Sequence, residues 1–195
     1  MIELTLKLLD SIQSFLKLRL VENRATFEDH IEPIYKDIKT IYEDYTKGFQ
    51  SIREALVDPA ISLDKIIIDL RSKQQAQKQL RYDIREYSSA FLEEDRFSKD
   101  LKTFCSMAQE IISTVPSNIV VPPRPHTTKM TSLLELLESW GDPEFREDWH
   151  PESTEDDFRS FVSSEIQDTL VALDTSWHRL IQSYFRLRVK CLRAA

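Results

Sequence analysis

Hydrophobic residues recur along this chain at three- and four-residue steps, the spacing that lines one face of an α-helix. The first run, Ile2, Leu4, Leu6, Leu9, Ile12, Phe15, Leu16 and Leu20, predicts an amphipathic helix over 2–22. A helix start follows near Thr26, where a threonine precedes acids that suit a first turn. From there Ile34, Ile38, Ile41, Tyr45, Phe49, Ile52 and Leu56 form one long seam, predicting a helix over 34–57 that Asp58-Pro59 ends. A third helix, about 62–94, carries Leu63, Ile66, Ile67 and Leu70, then Leu80, Ile84, Tyr87 and Phe91, with a polar interruption between Leu70 and Leu80. A fourth, about 96–114, carries Phe97, Leu101, Phe104, Cys105, Ala108, Ile111 and Ile112.

The pattern then breaks. Residues 115–129 contain four prolines, which exclude a helix or a central strand. A short helix is predicted over 130–140, stopped by Gly141-Asp-Pro, and 142–152 reads as acidic and irregular. The final helix, 154–193, opens on Ser153-Thr-Glu-Asp and runs Phe158, Phe161, Val162, Ile166, Leu170, Leu173, Trp177, Leu180, Ile181, Tyr184 and Leu187 along one face. Arg186, Arg188, Lys190 and Arg193 then suit the negative end of its dipole. The expected fold is all-α: an elongated bundle of about six helices, with long antiparallel helices and a proline-rich loop. It is expected to form a single helical domain over 1–195. Its core is 1–114 and 153–195, and 115–152 is an insertion holding one short helix.

Composition narrows the chemistry. With two glycines in 195 residues, many-stranded β folds and glycine-rich phosphate loops are excluded. A net charge of −7 argues against a general nucleic-acid binder while leaving room for a local basic patch. Cys105 and Cys191 match neither a metal spacing nor a disulfide framework. No cofactor and no metal are expected. Charges at Glu3, Lys7, Asp10, Lys17 and Arg19 interrupt the first leucine-rich run, so neither a secretory signal nor a transmembrane helix is read there. A cytoplasmic protein is the expectation.

Among the four histidines, His30 stands six residues after Arg24, and this arginine–five residues–histidine pair resembles the motif of HEPN ribonucleases. Those proteins are small helical bundles whose paired Arg and His cleave RNA at a dimer interface, so the resemblance implies a catalytic site at Arg24 and His30. The chain differs in having Ala25 where the family usually has a polar residue, and in placing the pair early.

Two other features point to contacts rather than catalysis. Arg71, Lys78, Arg81 and Arg85 fall at steps of seven, three and four, on one face of the predicted third helix. They suit an acidic partner, the chain's own segment 142–157 or nucleic-acid phosphate; equally they suit a solvated face balanced by Asp69, Asp83 and Glu86. Trp140 and Trp149 flank the glycine–proline turn and read as exposed contact residues or, equally, as plugs for the end of the bundle. The leading expectation is a non-enzymatic helical adaptor or regulatory subunit in a larger assembly, its partner another protein, a second copy of the chain included. A HEPN-like ribonuclease using Arg24 and His30 comes second. A membrane-surface protein using helix 2–22 comes third.

Overall fold

A computed structural model describes residues 24–58, 60–75, 78–93, 97–114, 120–121, 131–145 and 154–193. The predicted helix 2–22 and Trp149 lie outside these residues. The protein is an all-α bundle. Its elements are α1 (Arg24–Thr26), a π-helical turn (Phe27–Ile31), α2 (Glu32–Val57), α3 (Leu63–Gln75), α4 (Lys78–Leu92), α5 (Lys99–Ser113), α6 (Leu133–Ser139) and α7 (Glu155–Arg193). The helix predicted over 62–94 corresponds to α3 and α4, on either side of residues 76 and 77.

Local chemistry explains the boundaries. Ser62 and Ser98 begin α3 and α5 as N-caps, their Oγ atoms accepting from the amides of Lys65 (3.4 Å) and Leu101 (3.3 Å). At α7 the cap is reciprocal. Thr154 Oγ1 accepts from the Asp157 amide at 3.2 Å, while the Asp157 carboxylate accepts from the Thr154 amide and hydroxyl at 2.9 and 2.7 Å. These bonds hold the Asp157 carboxyl below its usual pKa, the backbone contribution being the larger. One feature escaped the hydropathy pattern: Val120–Val121, within the proline-rich stretch, pairs antiparallel with Thr131–Ser132, which leads directly into α6. Prolines exclude a central strand, but two residues edge to edge remain compatible with them.

Among the described residues the tertiary contacts form two compact units, one drawn from 24–42, 78–93, 97–112 and 175–193, the other from 43–58, 60–75, 113–114, 120–121, 131–145 and 154–174. In the first, the start of α2 runs antiparallel to the end of α7, with Tyr35 stacked on Tyr184 (centroids 3.9 Å apart) and Tyr42 on Trp177 (4.6 Å). The end of α7 is likewise antiparallel to α5: Ser176 Oγ donates to Glu110 at 2.6 Å, and Arg186 pairs with Asp100 at 3.6 Å. Phe27, Ile38, Phe91, Phe104, Ile111, Leu180 and Leu187 fill this core. Cys105 and Cys191 are buried in it too, and burial pushes the Cys105 thiol far above the range in which it ionises.

In the second unit, α2 from residue 43 and α7 up to residue 174 are antiparallel as well, linked by Arg53 and Gln167. Phe49, Ile52, Leu56, Leu70, Leu133, Phe158 and Ile166 make the core. Arg159 is 6% exposed and closes the C-terminal end of α2. Its Nη1 donates to the carbonyls of Ala55, Leu56 and Asp58 at 3.4–3.5 Å and its Nη2 to Ile61 at 2.8 Å. Its Nε is held by Glu155, one turn earlier on α7, at 2.8 Å.

Candidate interaction surface

Arg24 and His30 both belong to the first unit but have separate partners. Arg24 is solvent-exposed and paired with Glu28 at 2.8 Å, an i,i+4 contact on one helix face. His30 sits in the π-helical turn, half-buried, with its ring 6.2 Å from that of Tyr87. Desolvation lowers its pKa below the usual value, and neighbouring Asp29 opposes this only in part.

The four cations of the predicted stripe fall in both units. Arg71 makes a forked contact to Glu138 on α6, with Nε at 3.0 Å and Nη2 at 2.8 Å from the same oxygen. That partner comes from within the chain, four residues before the acidic segment that the sequence offered. Lys78 and Arg85 are exposed on α4 and Arg81 is partly so. Trp140 takes the plug rather than the contact reading. It is 6% exposed and stacked on Phe158 at 4.1 Å, so it plugs the second unit rather than standing at the surface. A tryptophan directly after a short helix can swing back over that helix's apolar face, and α6 offers buried Leu133, Leu136 and Leu137 for it to join.

A surface that the sequence did not single out lies on the last turns of α7. Leu180, Tyr184, Leu187 and Cys191 point into the first unit, while Phe185 is 50%, Val189 48% and Leu192 39% exposed. At about 100° per residue those three side chains share roughly 60° of helix surface. Arg188 flanks them on one side and Arg186 and Arg193 on the other; all three are exposed. No acidic residue follows Asp174 in the chain. On the same flank a cavity of about 450 Å³ opens between α5 and α7, lined by Lys99, Lys102, Thr103, Ser106 and Arg179 over an apolar floor that includes Phe97. The signal was present in the sequence as apolar residues set off the 180/184/187 face and as a segment without acids. Cations at a helix C-terminus also suit the dipole, so the pattern alone does not single out a surface.

The second unit holds a cavity of about 500 Å³ beside Leu56, Val57, Asp156, Arg159 and Ser160. Its one cation already serves the end of α2, and its rim carries an acid, so it has little to offer an anion. No group of three or more potential metal ligands, and no helix long and apolar enough to cross a membrane, occurs among the described residues. In comparisons with known proteins, no family model, no curated protein and no solved structure matches this chain.

Proposed function

We propose that this chain is a non-enzymatic, cytoplasmic helical adaptor or regulatory subunit, acting through protein–protein contacts in a larger assembly. The observation that carries the reading is the apolar row Phe185, Val189 and Leu192, exposed on a helix whose opposite face is fully packed. Three large apolar side chains in line, rimmed by charge, have the form of a contact surface rather than of scattered surface hydrophobes. Lys78, Arg81 and Arg85 on α4, together with Trp149, are retained as secondary contact candidates.

The test is affinity capture from nuclease-treated lysate with the wild-type chain and with Phe185→Ser/Val189→Ser. A stoichiometric protein partner on the wild type, lost from the double variant while its circular dichroism and melting curve are kept, supports the reading. Equal capture by both chains, or a wild-type chain recovered alone, overturns it.

A further inference from the structure

We infer that the α7 surface is a docking site for an acidic amphipathic helix of a partner protein. This rests on the adaptor reading and assigns its partner a chemistry. The surface has the two parts such a helix requires. The row Phe185, Val189 and Leu192 repeats at steps of four and three, the spacing that accepts an apolar helical seam. The borders are cationic on both sides, Arg188 on one and Arg186 and Arg193 on the other, with none of the acids that would balance them on the same stretch of α7. Arg186 is 67% exposed even in its 3.6 Å contact with Asp100, which leaves its guanidinium reachable from solvent.

The cavity extends this positive border. Arg179, one heptad before Arg186, lines it together with Lys99 and Lys102, and the Thr103 and Ser106 hydroxyls add donors. An acidic side chain reaching past the rim therefore meets cations from two helices. Charge also disfavours two alternative occupants. Two copies of this segment packed face to face would set cation against cation, a costly pairing. The chain's own residues 2–22 carry acids and bases in equal number and have no complement to offer.

The probe is a monomeric helical peptide of about 20 residues, long enough for a stable bound helix, with leucine at seam positions and glutamate on both flanks. Its twin has lysine in place of glutamate. Binding to the full chain is followed by fluorescence anisotropy. The glutamate peptide is expected to bind, and to weaken by about tenfold or more from low to high salt as the flanking charges are screened. The lysine peptide is expected not to bind. Phe185→Ser/Val189→Ser should abolish binding, and the charge reversal Arg186→Glu/Arg188→Glu/Arg193→Glu should switch preference to the lysine peptide. Both variants are checked for an unchanged melting curve, and as all five side chains are exposed, both are expected to fold.

Failure of both peptides to bind, or equal binding of the two, overturns the inference. So does co-flotation of the chain with equimolar phosphatidylserine–phosphatidylcholine vesicles without peptide binding, which would make the surface a lipid contact. If lysate capture still yields a partner that depends on Phe185 while the glutamate peptide fails, the adaptor reading survives and the acidic-helix assignment alone falls.

Discussion

Arg159 Nη2 donates to the carbonyl oxygen of Ile61 at 2.8 Å, so a cation from α7 terminates α2 and fastens the turn that leads into α3. The last carbonyls of a helix have no partner within it and carry the negative end of its dipole. A guanidinium answers both needs at once, because its fork can serve several oxygens. Replacing Arg159, itself only 6% exposed, with leucine leaves the carbonyls of Leu56 and Ile61 without its guanidinium and the Asp58 carbonyl with the Ile61 amide alone. The expected loss is about 3 kcal/mol. Arg159→Lys should recover only part of it, and urea unfolding of the three proteins measures both values.

Trp177 and Trp140 each anchor a different unit. Trp177 stacks on Tyr42 and Tyr35, with centroids 4.6 and 5.7 Å away, and Trp140 on Phe158 at 4.1 Å. Truncating either to alanine should cost roughly 3–5 kcal/mol, the range for a buried large aromatic. Thermal melts of the two variants provide the check. A midpoint for Trp140→Ala within experimental error of the wild type would return that side chain to the surface.

By contrast, Arg71→Ala should be nearly silent. Its partner Glu138 is well aligned, but the two side chains are 61% and 36% exposed. Water and salt compensate such a pair, and its loss is expected to cost less than about 1 kcal/mol. Denaturation at low and high ionic strength should narrow the difference further, since screening acts on what remains.

His30 and Asp37 should give pH dependences of opposite sense. Burial lowers the pKa of His30 below 6.5, so the unfolded chain binds its proton more readily than the folded one. Its neutral ring is fully accommodated above pH 6.5, and stability is lost as pH falls below that value. His30→Gln should therefore flatten the decline in melting temperature on mild acidification. Asp37 has its pKa raised above 3.8, by burial first and by the Asp83 carboxylate second. Its charge costs stability at neutral pH, and the cost disappears as pH falls below 3.8. Asp37→Asn should raise the melting temperature at neutral pH and have no effect below that point. Melting curves recorded across a pH series test both signs.

The candidate surface was only half visible in the sequence. Arg186, Arg188, Lys190 and Arg193 are prominent in it, but their place at a helix end accounts for them equally well. The side of α7 that Phe185, Val189 and Leu192 occupy could not be weighed without knowing what packs against its neighbours. Trp140 shows the same limit: a loop-edge tryptophan suits a contact or a plug equally until Phe158 is found stacked against it.

The main helices are legible in the residue pattern. Step lengths of three and four, serine and threonine caps, and the prolines that stop or exclude helix act within a few residues, so the all-α class and the positions of α2, α5 and α7 followed from local physics. Relationships over long separations emerge only when the chain is folded. Arg159 reaches carbonyls about a hundred residues away in the chain, Arg71 finds Glu138, and the contacts sort the residues into two compact units. Whether a given apolar residue lies inside also depends on which other helix arrives to cover it. On α7 the helical period places Leu187 on the packed face and Val189 off it, but that Val189 stays 48% exposed while Leu187 is fully buried depends on where the rest of the chain comes to lie.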